Sequence, residues 1–186
     1  MTLSDLYDNR TGYSDKGSNH TYIKNYYEKE FTDREGVRAF LEIGIFHGAS
    51  LILWNDWFPN AIIDGIEYSS EYLEEWERTK SGREFPRIQY NVADAYAVSN
   101  LYKDDHYDYI IDDGPHDPES QVLAIDLYLK KVKPGGKLII EDIPNDERFD
   151  QLEEAARSND LECTTKRFVF NIANRFDDMI FEITRL

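Results

Sequence analysis

Cysteine occurs once, at Cys163, in a chain of 186 residues. A single thiol excludes a disulfide framework and a thiolate zinc site, and a reducing, cytoplasmic setting is the expectation. No apolar run approaches the roughly 20 residues that span a bilayer. The opening MTLSDLYDNR is polar, so no signal peptide is expected. Basic residues are scarce: 21 Lys and Arg stand against 37 Asp and Glu, for a net charge of −16. That field repels phosphate backbones and anionic membrane surfaces, and no basic stripe offsets it. Neither nucleic acid nor membrane is therefore expected as a partner. Excess acid keeps a protein soluble in any case; locally it can also serve a divalent cation. The spacing Gly-x-Gly-x-x-Gly is missing too, which disfavours an NAD-dependent dehydrogenase.

What is present argues for a globular chain: 41% hydrophobic and 14% aromatic residues, enough for one domain over 1–186. After residue 38, short apolar runs alternate with helical stretches. RAFLEIGI, AIIDGIEY, RIQYNV, YDYIID and KLIIED read as strands. GASLILWNDWF, SEYLEEWERTKS (capped by Ser69 or Ser70), PESQVLAIDLYLKKV and DERFDQLEEAARSN read as helices, and KPGG as a turn. LECTTKRFVF and DDMIFEITRL follow without a helix between them and pair as an antiparallel hairpin through NIANR. The alternation predicts an α/β, doubly wound, Rossmann-like sheet over 39–186. Residues 1–38 differ in being rich in Tyr, Asn, Asp and Gly. They are expected to form an N-terminal lid: a polar loop, then a helix over TYIKNYYEKEF.

Ligands of such sheets sit at the carboxyl ends of the strands. In LEIGIFHGAS, Gly44 permits the turn out of the first strand, Gly48 lets a bound group approach backbone N–H groups, and Ser50 adds a hydroxyl. A structural turn accounts for the glycines but not for Glu42 just before it. Glu67 ends the second strand, where an acid takes both hydroxyls of a ribose. Asp94 follows the third strand and can accept from an adenine amino group, while Ala95 offers its N–H. Each acid alone is commonly a solvated loop residue; their recurrence at successive strand ends is what counts. The fourth strand runs into DDGPH, so Asp112, Asp113 and His116 leave the sheet where ligands bind.

The set LEIGIFHGAS, GIEYSS, VADAY and YDYIIDDG resembles the class I S-adenosylmethionine-dependent methyltransferases. TGYSDKGSNHTYIKNYYEKEF, FLEIGIFHGASLILWNDWFPNAIIDGIE, DDGPH and IIEDI are similar, more narrowly, to the metal-dependent sugar O-methyltransferases of macrolide biosynthesis. That likeness covers about residues 10 to 142. It implies a seven-stranded sheet of order 3-2-1-4-5-7-6 with strand 7 antiparallel. In that order the tips of strands four and five bring Asp113, Glu141 and Asp142 together. Three neighbouring carboxylates repel unless protonated or bridged, and hard oxygen ligands suit Mg²⁺, Mn²⁺ or Ca²⁺.

The resemblance further implies His116 as the base that takes the acceptor's proton, beside Asp113 at the metal. It implies Asp112 as the acid facing the S-adenosyl-L-methionine cofactor. Ser14 and Lys16 match the family's lid motif Gly-Thr-Asp-Lys, here GYSDKG, and are expected at the cofactor. His20 and Tyr22 lie in the same lid, within reach of cofactor or acceptor. His47 and His106 read as solvent-facing, and Trp54, Trp57 and Phe58 as core.

The function implied is metal-dependent methylation of a sugar hydroxyl: a deoxysugar such as rhamnose, free, nucleotide-linked or in a glycan. The chain can equally be one domain of a larger glycan-building protein, and a homo-oligomer is open. The acceptor pocket is expected from residues 10–25, 115–120, 143–148 and NIANRFDD. A catechol-type O-methyltransferase and a non-catalytic adenosine-binding module are the competing readings. In the first His116 is superfluous; in the second the whole metal and base set is.

Overall fold

The structure is a computed structural model that describes residues 1–8, 14–170 and 177–186. Its strands are β1 (Ala39–Ile43), β2 (Ile62–Glu67), β3 (Ile88–Val92), β4 (Tyr107–Asp112), β5 (Val132–Ile140), β6 (Cys163–Val169) and β7 (Met179–Arg185). They form one sheet of order β3-β2-β1-β4-β5-β7-β6. The first five pair in parallel, and β7 runs antiparallel to both β5 and β6.

The sheet is apolar on both faces because successive side chains point to opposite sides. Phe40, Ile63, Ile111 and Ile139 face one layer; Leu41, Ile66, Ile110 and Leu138 face the other. The first layer holds α4 (Ala49–Trp57), which contributes Trp54 and Trp57, with Phe58 just beyond it. The second is built on α7 (Pro118–Tyr128) and α8 (Asp146–Ser158), through Ile125, Tyr128, Phe149 and Leu152. Each large side chain buried this way contributes about 1.5–3 kcal/mol. Asp117 caps α7 by accepting from the Glu119 and Ser120 amides, with Pro118 in the first turn.

The N-terminal residues depart most from expectation. The helix expected over residues 21–31 is present, but the described residues before it form short helices, with Leu3 and Tyr7 in the first layer's core, where a polar loop was expected. Short helices Leu3–Asp8 (α1) and Asp15–Ser18 (α2) lead into a π-helical turn, Ile23–Tyr27, and a last turn, Glu28–Glu30 (α3). Leu3, Tyr22, Tyr26, Tyr27 and Phe31 are fully buried. The wide π turn lets the consecutive residues Tyr26 and Tyr27 both face inward.

Other corrections are local. The expected turn at 133–136 lies inside β5, where Gly135 holds φ +83° and the pairing with β4 is irregular between Tyr107 and Tyr109. The helix expected to reach Val132 stops at Tyr128 and tightens into a 3₁₀ turn, Leu129–Lys131. The helix α5 (Tyr72–Lys80) has no side-chain cap; the Ser69 hydroxyl accepts from the Glu71 amide one step outside it. Residues 171–176, expected as the last hairpin's loop, lie outside the described residues. No helix among the described residues is long and apolar enough to cross a membrane.

Candidate active site

The strand ladders continue one residue beyond the strands and so set the rim. The Gly44 amide donates to the Ile66 carbonyl, Asp113 to Ile43, and Glu141 to Asp112, at 2.9, 2.9 and 3.0 Å. The ends of β3, β2, β1 and β4 open side by side on a cavity of about 980 Å³. Gly44 holds φ +79°, and a Cβ there would lie 1.9 Å from the Asp113 carbonyl oxygen. Only glycine fits both demands. Gly48, at φ +75°, precedes α4, and a Cβ on it would strike the Trp76 ring at 2.0 Å. Gly48 therefore serves the packing of Trp76 and does not itself line the cavity.

Of the residues expected at the cofactor, Ser14, Gly44, Ser50, Glu67, Asp94 and Ala95 lie on the cavity wall. Glu67 is buried, and its two oxygens accept from the amides of Phe46 and Ser69 at 2.8 and 3.1 Å. The carboxylate thereby ties the β1 turn to the β2 turn and keeps spare lone pairs toward the cavity. Asp94 accepts from the Tyr96 amide as the cap of α6 (Ala95–Val98). The Tyr128 hydroxyl holds the Ala95 carbonyl at 2.6 Å.

Besides Gly48, three expected cofactor residues lie elsewhere. Asp112 is buried under the rim, where its Oδ1 accepts from the Tyr96 hydroxyl at 3.3 Å. Burial, reinforced by the charge of Asp113, pushes its carboxyl up to about 7. Glu42 is wholly buried beneath the turn and accepts from the Trp54 indole N–H at 3.2 Å. Burial lifts its carboxyl to about 7 against the opposing pull of Lys16. Lys16 is drawn away from the cavity into the acids: its Nζ stands 2.5 Å from Asp113 Oδ2, 2.5 Å from Glu141 Oε2 and 3.2 Å from Glu42 Oε1. Burial alone would discharge this ammonium, but the three carboxylates outweigh it and hold the group well above the ordinary lysine range.

The acids expected at a metal divide into two groups. Asp113, His116 and Asp142 offer one ligand atom each within 4.8 Å of one another. His116 Nε2 lies 3.7 Å from Asp113 Oδ1 and 3.6 Å from Asp142 Oδ2. Glu141 is turned inward, with one oxygen on Lys16 and the other accepting from the Tyr27 hydroxyl. Burial raises the Glu141 carboxyl well above its ordinary value, and that of Asp113 is raised for the same reason.

His116 and Asp142 both adopt left-handed backbone, φ +59° and +57°. Such strain in residues with a side chain gathers at functional sites. The two carboxylates are hard oxygen donors that suit Mg²⁺ or Mn²⁺, so they fit a divalent cation with the imidazole standing beside it. Glu42 Oε1, which is paired with Lys16 but accepts no hydrogen bond, shows that the acids beneath are under-compensated.

Sequence reasoning missed the partners of the N-terminal residues. Tyr22 donates to Asp142 Oδ1 at 2.7 Å; His20 sits 3.2 Å from Asp178 and 3.5 Å from Asp142. His20, Asp142 and Asp177 form a second grouping of possible ligands. Its only sequence signal was the run of aromatics and His at 20–27. Of the expected acceptor pocket, residues 10–13 and 171–176 lie outside the described residues. Phe46 and His47 stack at 3.5 Å with Tyr72 on the cavity wall, so His47 is a wall residue, while His106 is exposed as expected.

A scan against protein-family models finds no match, and a search of curated proteins finds none. Solved structures do match. MycE methyltransferase from the mycinamycin biosynthetic pathway, in complex with Mg, SAH and mycinamycin VI, is 18% identical with a TM-score of 0.71. The match takes in 100% of this chain and 53% of that one, so the chain spans about half of MycE. Aeropyrum pernix fibrillarin, with natively bound S-adenosyl-L-methionine, is 17% identical over 81% of this chain and 67% of its own, at 0.62. An rRNA methylase from Streptococcus thermophilus is 13% identical over 82% and 89%, at 0.63. The fold is therefore that of the class I S-adenosylmethionine-dependent methyltransferases, with the strand order its sequence resemblance implied.

Proposed function

We propose that the protein is an S-adenosylmethionine-dependent and divalent-metal-dependent O-methyltransferase that acts on a sugar hydroxyl. The observation that carries this reading is the junction of two features at one rim. The Gly44–Glu67–Asp94 wall is suited to an adenosine, and it adjoins the Asp113–His116–Asp142 group. Adenosine-binding modules have no use for that second group. MycE, solved with Mg and SAH, supports the pairing of metal and cofactor.

Asp113 and Asp142 would hold the cation, with Glu141 behind them. Bound there, a divalent cation lowers the pKa of an acceptor hydroxyl, and S-adenosylmethionine supplies an electrophilic methyl group. His116, about one-third exposed at the cavity edge, takes the hydroxyl proton on Nε2. Asp113 and Asp142 flank that nitrogen and stabilise the imidazolium that forms. Glu67 fixes the ribose end, and the Gly44 turn lets the cofactor approach the backbone. Positioning and charge are the protein's contribution.

The test is calorimetric titration of S-adenosylhomocysteine with Mg²⁺ and with EDTA, followed by methyl transfer to a panel of sugars and catechols. Micromolar binding and metal-dependent transfer to a sugar are expected. Absence of binding in both buffers would remove the cofactor assignment, and transfer to catechols alone would replace the acceptor.

A further inference from the structure

Helix α2 forms part of the cavity wall through Asp15 and Ser18, with Ser14 and Asn19 on either side. Of its four residues only Lys16 is buried. Tyr7 supports it as well: its ring lies under Gly17 and its hydroxyl donates to the Ser14 carbonyl at 2.7 Å. The one buried side chain of α2 is thus an ammonium, and that ammonium is spent on Asp113 and Glu141, two of the acids a divalent cation would need. Both Glu141 oxygens are already engaged, one by the Lys16 ammonium and the other by the Tyr27 hydroxyl.

We propose that Lys16 is an intramolecular competitor of the divalent cation: a cation that engages Glu141 and Asp113 expels the ammonium and frees α2 from the cavity wall. The inference rests on the metal half of the reading above. Two positive charges on one pair of carboxylates repel, and the divalent ion has the stronger field. The metal state of the site and the state of its wall are then one equilibrium, and cation binding makes room where cofactor and acceptor enter.

Mn²⁺ is titrated calorimetrically into the wild type, Lys16→Met and Lys103→Met, the last removing an exposed lysine as a control for total charge. Lys16→Met is expected to bind Mn²⁺ on the order of tenfold tighter or more, and Lys103→Met like the wild type. Equal or weaker binding by Lys16→Met overturns the proposal, as does equal tightening by Lys103→Met. Binding by neither wild type nor Lys16→Met removes the metal reading and the proposal together, while S-adenosylhomocysteine titration reports the cofactor reading separately.

Should Lys16→Met fail to fold, wild-type hydrogen exchange decides. The amides of Asn19 and His20, which donate to the Asp15 carbonyl at 2.9 and 2.8 Å, exchange faster once Mn²⁺ is bound. Unchanged or slower exchange overturns the proposal.

Discussion

His116 and Asp142 face each other across the rim, Nε2 to Oδ2 at 3.6 Å, and each reaches that position through a left-handed backbone. The two come from different loops, after β4 and after β5. Two left-handed residues with side chains thus meet at one place on the rim.

His116→Ala is expected to abolish methyl transfer while leaving the dissociation constant for S-adenosylhomocysteine within about threefold, since a general base typically contributes 10²–10⁴-fold to rate. Calorimetry and a transfer assay separate the two. Loss of cofactor binding would contradict the role of base.

Glu67→Ala removes the acceptor of two amides and the anchor of the β1 and β2 turns. Losing hydrogen bonds to a charged group costs about 1.5–3 kcal/mol, so cofactor affinity should fall roughly 10- to 100-fold. The same titration reads it, and unchanged affinity would take Glu67 out of the site.

Gly44→Ala puts a Cβ against the Asp113 carbonyl on a backbone of φ +79°. Strain and overpacking together should cost about 2–5 kcal/mol in urea unfolding. A near-neutral result would mean that the turn can open without disturbing Asp113.

Asp64, on β2, tests the pH dependence of stability away from the metal acids. Burial raises its carboxyl above the ordinary 3.8, although the Tyr107 hydroxyl donates to it at 2.7 Å and works the other way. A raised folded-state pKa means that the unfolded chain gives up its proton first as pH rises. The stability Asp64 contributes is therefore full below about 3.8 and is lost as pH climbs through its folded value. Asp64→Asn keeps an acceptor for Tyr107 and cannot ionise. Its melting temperature should exceed the wild type's at pH 8, and the gap should close toward pH 4. A constant gap would sink the assignment.

The sheet was legible because its strands are short apolar runs punctuated by glycines and acids, and the rim was legible because those acids stand at strand ends. Glu67 and Asp94 could be placed on the cavity from position alone. Asp112 and Asp113 could not be told apart by environment, because which neighbour faces in depends on the ladder beyond the strand. Lys16 was expected at the cofactor by its match to the lid motif; its burial instead depends on Asp113 and Glu141, about a hundred residues away. Tyr26 and Tyr27 gave no warning either, since their partners, Glu182 and Glu141, lie more than a hundred residues away.

The N-terminal tyrosines and histidine find their partners far along the chain. Tyr26 donates to Glu182 at 2.7 Å, and His20 lies beside Asp178. A nascent chain that has emerged as far as Asp142 already holds Asp113 and Glu141, yet Tyr26 and His20 still lack Glu182 and Asp178. Those two contacts therefore join the first and last parts of the chain, and truncation before β7 would remove them while leaving the Lys16 pairs with Asp113 and Glu141 in sequence.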